Sequence, residues 1–241
     1  MKEYPLSFKA PLINAIIDGR KIQTRRIIKG VSPEDFPYVG SFDEDGSIVF
    51  SDAPGDAVLN RIQAKIPYGL PGDRIWVRET FRPEEINCTR LNHFRAEITY
   101  LADKQSREVK AHMEHWRLWL ESGKNKPSIH MPRWAARIIL EITQVRVERL
   151  QSISEEDAKL EGVESPETER EEHDYNICPA CGGTRLYMGG SEAGAVFDCD
   201  CLKCDTNKKR FMHLWNSLAD EETNWNANPW VWVIEFKKLN P

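Results

Sequence analysis

Long apolar runs are missing from this chain of 241 residues. Its apolar stretches are far too short for the roughly 20 residues that cross a bilayer as a helix, so no membrane span is expected. Net positive charge is missing too. The formal charge is -5, so bulk charge does not recruit nucleic acid, and any such binding must rest on a local basic surface. The opening MKEYPLSFKAPL lacks the apolar core of a signal peptide. A cytoplasmic location is therefore expected, where thiols stay reduced, and six cysteines in that setting point to metal before disulfides. No internal repeat or low-complexity tract is present. The remainder, 40% hydrophobic and 29% charged with eight Trp, suits one large globular domain or one domain with a smaller appendage.

Apolar Leu12, Ile13, Ile16 and Ile17 recur at helical spacing before Gly19, which predicts a short helix from about Ala10 to Asp18. SIVF, following a DG turn, reads as a hairpin strand. RIWVRETF and AEITYLAD read as strands, and RIILEITQVRVERL as one strand or a bent pair. In ISEEDAKLEGV, Ser154 is a candidate N-cap with acids in the first turn, so a helix over 155–161 stopped by Gly162 is expected. FMHLWNSLA predicts another helix and PWVWVIEFKKL the last strand. Residues 107–127 are polar with a Trp pair. Strands dominate and helices fill the connections. The class is therefore α+β, and a small β-barrel with peripheral helices is the expected architecture.

The segment CPACGGTRLYMGGSEAGAVFDCDCLKC carries the strongest motif. Cys178 and Cys181 form one C-x-x-C pair, and Cys201 and Cys204 another. Two such turns across a hairpin-length spacer are a zinc-ribbon pattern, because each aims two thiolates at one point and together they complete a tetrahedron. Four cysteine ligands leave no open position, so the expected Zn2+ is structural. The segment has too little core to fold without its metal. Cys199 offers an alternative to Cys201, and Cys88 stands alone.

A second motif, GRKIQTRR, gathers Arg20, Lys21, Arg25 and Arg26 around Thr24. On composition it is either a solvated cationic face or a ligand-facing site. Together with PGDRIWVRET, HMPRWAARI, SEEDAKLEGV and WVWVIEFKKL, it resembles the ASCH family, whose domains have a PUA-like β-barrel, and in particular ASCH proteins encoded by prophages. The resemblance implies an ASCH barrel over 1–163 and 209–241, with residues 164–208 inserted as the zinc ribbon. Many members are proposed to bind RNA or modified nucleotides. A small bacterial branch hydrolyses the acetyl amide of N(4)-acetylcytidine with a Lys, a Thr and a Glu. Here the matching positions are Lys21, Thr24 and Glu161, and this chain is much longer than that branch.

Amide hydrolysis needs a nucleophile, a proton acceptor and a donor for the leaving amine. Thr24 can attack or position a water, Lys21 can accept a proton if its pKa is lowered, and Glu161 can relay it. Along a regular strand Lys21 and Thr24 face opposite sides, so their convergence needs a turn over 19–22. Arg20 and Arg26 are candidate phosphate or carboxylate contacts. Arg78 and Glu79 are candidates for an ion pair or a ligand contact. Arg133 and Trp134 are candidates for clamping and stacking a base, with Trp134 as core the alternative. Trp225, Trp230 and Trp232 read as core. The expected partner is a nucleoside, nucleotide or RNA. A non-catalytic RNA- or DNA-binding module, and a phage-encoded module whose ribbon docks a protein, are the alternatives. The run from Lys208 to Arg210 reads either as a nucleic-acid contact or as a helix-start surface.

Overall fold

The computed structural model describes residues 1–90, 93–111, 123–168, 172–175, 177–184, 186–190 and 196–239. The expected Trp pair lies at 116 and 119, outside these residues. The chain divides into two compact units. The first holds Met1–Gly19, Pro67–Gln144 and Glu235–Pro241, and the second Arg20–Ile66 and Val145–Ile234.

In the first unit, β1 (Glu3–Ser7) runs parallel to β6 (Arg74–Arg78), which pairs antiparallel with the start of β10 (Ile139–Arg149). Helix α1 (Ala10–Ile17) starts with a proline in its first turn and buries Ile13, Ala15 and Ile16. It stops where Asp18 and Gly19 turn, with Gly19 at φ +76, a backbone that favours glycine. Strands β7 (Phe81–Arg90), β8 (His93–Tyr100) and β9 (Ser106–Ala111) form a separate antiparallel sheet. Phe81, Ile98, Tyr100, Met131 and Ala135 make its core, and the Tyr100 hydroxyl donates to the Ala135 carbonyl at 2.7 Å.

In the second unit, β3 (Tyr38–Phe42), β4 (Ser47–Ser51) and β5 (Arg61–Lys65) form an antiparallel meander. The first half of β13 (Trp230–Leu239) lies between β10 and β2 (Gln23–Ile27) in sheet order. Helix α2 (Glu155–Leu160) is capped as its sequence predicts: the Ser154 hydroxyl accepts from the Asp157 N–H at 3.0 Å, and three acids fill the first turn. Gly162, at φ +85, ends it. Helix α3 (Asn207–Asn216) begins four residues before the apolar run that signals it, because Thr206 caps its N-terminus by accepting from the Lys209 N–H. Phe211 and Trp215 of α3, Ala158 of α2 and Val231 and Val233 of β13 are buried together with Leu150 and Ile153. This cluster fixes α2 against the sheet. β11 (Leu186–Gly190) and β12 (Val196–Asp200) form the two-stranded hairpin of the cysteine-rich segment.

The α+β class is as expected, but barrel closure is not. Among the described residues no sheet closes, because closure gives every strand two neighbours, whereas β1 and β2 each have one. RIILEITQVRVERL forms one strand, β10, rather than a bent pair. Among the described residues no helix is long and apolar enough to cross a membrane.

Candidate active site and metal centre

The turn after α1 leads the chain onto the end of α2. Lys21 and Glu161 form an isolated antiparallel bridge, and the Ile22 N–H donates to the Leu160 carbonyl at 3.1 Å. This backbone docking places two side chains of opposite charge together. Lys21 Nζ lies 2.7 Å from Glu161 Oε2 and also 2.7 Å from the Glu161 carbonyl. Lys21 is 2% exposed and Glu161 3%. Burial lowers the Lys21 pKa from the usual lysine value; the Glu161 carboxylate opposes this, and the Arg26 and Arg25 charges add to it.

Strand alternation extends the site. Gln23 and Arg25 share one face of β2, and both reach Asp157 of α2. Arg25 Nη1 donates to Glu161 Oε1 at 3.1 Å and to the Gln23 side-chain carbonyl. Arg25 Nη2 donates to Asp157 Oδ2 at 2.9 Å and to Glu148 Oε2 at 3.0 Å. Arg146 donates to the same two carboxylates, Asp157 and Glu148, each at 2.6 Å. Burial pushes the Asp157 pKa up, but hydrogen bonds from Arg25 and Gln23 and the nearby cations win, so it lies below its usual value. Each Glu161 oxygen thus carries one cation. Three basic side chains, Lys21, Arg25 and Arg146, meet three carboxylates, so the cluster is balanced in charge.

Of the expected triad, the structure brings Lys21 and Glu161 together. Thr24 is only 4% exposed, but it sits one residue out of phase with Gln23 and Arg25. Among the described residues its hydroxyl makes no hydrogen bond to Lys21, Glu161 or any other group. The turn falls at Asp18–Gly19, overlapping the 19–22 stretch where it was expected only at Gly19. Arg20 is exposed, donating to the Gly162 carbonyl at 3.3 Å, and Arg26 is half-buried. Arg25, Gln23, Asp157, Glu148 and Arg146 were not assigned as site residues from sequence. Two signals point to the first three: the i, i+2 parity of Lys21, Gln23 and Arg25, and the i, i+4 spacing of Asp157 and Glu161 on one helix face.

The remaining substrate candidates belong to the first unit. Glu79, one residue past the end of β6, makes no ion pair with Arg78 among the described residues. Arg137 takes Glu79 bidentately at 2.9 and 2.8 Å, binds Asp103 at 2.7 Å and lies over the Tyr100 ring at 4.1 Å. Burial raises the Glu79 pKa against the pull of Arg137. Arg78 donates to the Ile129 carbonyl at 3.4 Å and faces the Trp76 ring. Arg133 forms an exposed bidentate pair with Glu3 at 2.6 and 2.8 Å, and Trp134 packs against the Phe81–Tyr100 core. These groups are engaged in scaffolding. Glu79→Leu is expected to lower the unfolding free energy by about 3 kcal/mol, because it removes one partner of a buried ion pair. Chemical denaturation measures it.

Of the three Trp residues read as core, Trp230 and Trp232 are buried and Trp225 is half-buried against the core. Trp230 donates to the Phe36 carbonyl at 2.9 Å, Trp232 meets Phe42 with ring centroids 5.8 Å apart, and Trp225 packs on Phe211. The cations of the 208–210 run all turn onto the protein. Lys208 Nζ donates to the Gln151 carbonyl and Lys209 Nζ to the Leu202 carbonyl and Asp205, while Arg210 is buried.

Cys178, Cys181, Cys201 and Cys204 are all buried, and their sulfurs lie within 4.8 Å of one another. The Cys178–Cys201 sulfurs are 3.8 Å apart and the Cys181–Cys204 sulfurs 3.4 Å. A tetrahedral ion with metal–sulfur bonds near 2.3 Å separates its sulfurs by about 3.8 Å, so these four residues fit one metal ion. Burial pushes the Cys201 and Cys204 thiols up, and a bound cation reverses that by displacing their protons. Cys199 pairs through its backbone with Tyr187 in the β11–β12 hairpin.

Comparison with known protein families, curated proteins and solved structures finds no match.

Proposed function

We propose that this chain is an ASCH-type, PUA-like protein that recognises a nucleoside, nucleotide or RNA, and that it hydrolyses the acyl amide of N(4)-acylated cytidine. The observation that carries this reading is the buried Lys21–Glu161 pair, in which a lysine of lowered pKa is held against a carboxylate. Such a pair sets a proton acceptor beside a group that can relay the proton. Lys21 Nζ takes the proton of the attacking hydroxyl, from Thr24 or from a water that Thr24 holds. Lys21 hands that proton to Glu161, which passes it to the leaving exocyclic nitrogen as the acyl C–N bond breaks; where Thr24 is the nucleophile, a water then hydrolyses the acyl-threonine ester, again giving its proton to Lys21. Cytidine and the carboxylic acid are the products. Arg25 keeps Glu161 oriented throughout, and Arg20 and Arg26 supply positive charge for the substrate. Zinc is the metal we propose for the four cysteines, in a structural role.

The test is incubation of the zinc-loaded protein with N(4)-acetylcytidine, as the free nucleoside and within an oligonucleotide, with chromatography of released cytidine. Turnover is expected. Its kcat/KM should rise about tenfold per pH unit and then level, because the neutral amine is the active form, and the limb should lie below the usual lysine pKa of about 10.4. A flat pH profile would remove Lys21 from the proton transfer.

A second reading is a non-catalytic nucleic-acid-binding module. One observation favours it: Lys21 Nζ already has two acceptors on Glu161, as a purely structural lysine does. Salt-sensitive RNA binding with no cytidine release would select it.

A further inference from the structure

The cations Lys208, Lys209 and Arg210 occupy the first turn of α3, the end of a helix where positive charge is disfavoured. Two features nearby oppose that cost. Glu155 of α2 accepts from the Asn207 N–H at 2.8 Å and from the Lys208 N–H at 3.3 Å, and Asp205 pairs with Lys209 at 2.7 Å. Neither reaches Arg210. This residue is 1% exposed, and among the described residues its donors meet carbonyl groups and no carboxylate. Nε donates to the Cys204 carbonyl at 3.1 Å, Nη2 to the Gly183 carbonyl at 3.2 Å and Nη1 to the Glu164 carbonyl at 3.3 Å.

A guanidinium does not lose its charge in a protein, and a buried charge without an opposite charge is strongly disfavoured. The carbonyls supply dipoles but no net charge. The positions of two of them identify what does. Cys204 is one of the four clustered cysteines, and Gly183 follows Cys181 by two residues, so the guanidinium binds both cysteine turns at once. A divalent ion on four thiolates carries two net negative charges.

We infer that Arg210 is the counter-cation of a dianionic tetrathiolate metal centre, joining both cysteine turns to α3 through its planar fork. The inference rests on metal occupancy of the four cysteines. It explains why, among the described residues, a fully buried arginine has no acidic partner, and why it lies six residues after the second cysteine pair. It also predicts that metal and arginine stabilise each other, since each offsets the other's charge.

The test compares Zn2+ affinity of the full chain as wild type, Arg210→Lys and Arg210→Met, by competition with a chromophoric chelator. Co2+ absorption reads the ligand set in each. Arg210→Lys keeps the charge and should bind within about threefold of wild type. Arg210→Met should bind about tenfold or more weakly, the range seen when outer-shell partners are removed, with the Co2+ spectrum still that of four sulfurs. Should Arg210→Met fail to fold, Arg210→Gln carries the same comparison, since it keeps a donor for the carbonyls without the charge. A neutral variant within threefold of wild type overturns the inference. So does Arg210→Lys as weak as the neutral variants, which would make the role one of shape. A wild-type chain that takes up no Zn2+ overturns the metal reading itself, a distinct result that the wild-type titration alone reveals.

Discussion

Lys21→Met is expected to abolish release of cytidine from N(4)-acetylcytidine, by about 1,000-fold or more, while changing the unfolding free energy by no more than about 1 kcal/mol. The two effects part because of how Glu161 is held. Removing the amine leaves the carboxylate still paired with Arg25 through its other oxygen. It also removes a lysine whose burial is itself unfavourable, and methionine fills much the same space. Glu161→Ala is the contrasting case. It takes away a carboxylate that faces both Lys21 and Arg25. That should lower stability by about 3–5 kcal/mol, the cost of leaving a buried charge uncompensated. Turnover and urea unfolding on the same two variants separate the roles. Wild-type turnover by Lys21→Met would take the amine out of the chemistry. Wild-type stability in Glu161→Ala would mean that the buried charges find other partners.

Cys201→Ser should lose at least about a hundredfold in metal affinity, whereas Cys199→Ser should bind metal like the wild type. The geometry makes the difference. Cys201 completes the group of four with its sulfur 3.8 Å from that of Cys178, and that group already fills a tetrahedron. Little apolar surface is buried around the four cysteines, Ala180 being the one apolar side chain packed against them among the described residues. The metal must therefore supply most of the local folding free energy. Limited proteolysis should accordingly cut Cys201→Ser within residues 172–204 while sparing Cys199→Ser. Equal metal affinity in the two variants would mean that the ligand set includes Cys199.

What the sequence discloses here depends on the range of the interaction. Ser154 capping α2, Gly162 ending it and the two C-x-x-C pairs are local, and each is readable from a few residues. The pairing of Lys21 with Glu161 spans 140 residues, and only the motif match pointed to it. In the sequence Arg25 is only one of the four cations of GRKIQTRR. Its larger role, holding Glu161, Asp157 and Glu148, depends on where β10 and α2 pack, which no local pattern specifies. Burial is the main cause of the lowered Lys21 pKa, and it too depends on that packing. Arg133 was a candidate base clamp until its partner proved to be Glu3, 130 residues away. The barrel expectation failed for a related reason: alternation marks strands, but it does not say which edges meet.

The carboxylate of Glu155, which caps α3 from the start of α2, bears on the order in which the chain folds. The contact closes a loop of 52 residues between Glu155 and Asn207. A metal joining Cys178 to Cys201 bypasses 23 of them. Closure entropy grows with the logarithm of loop length, so this bypass lowers the closure cost by about 0.5 kcal/mol. The cysteine turns should thus assemble first and deliver α3 to α2 as a short tether. The helix that carries Glu161 then gains its neighbour late, and a chain starved of metal should refold more slowly in the α2–α3 region even where its equilibrium structure there survives.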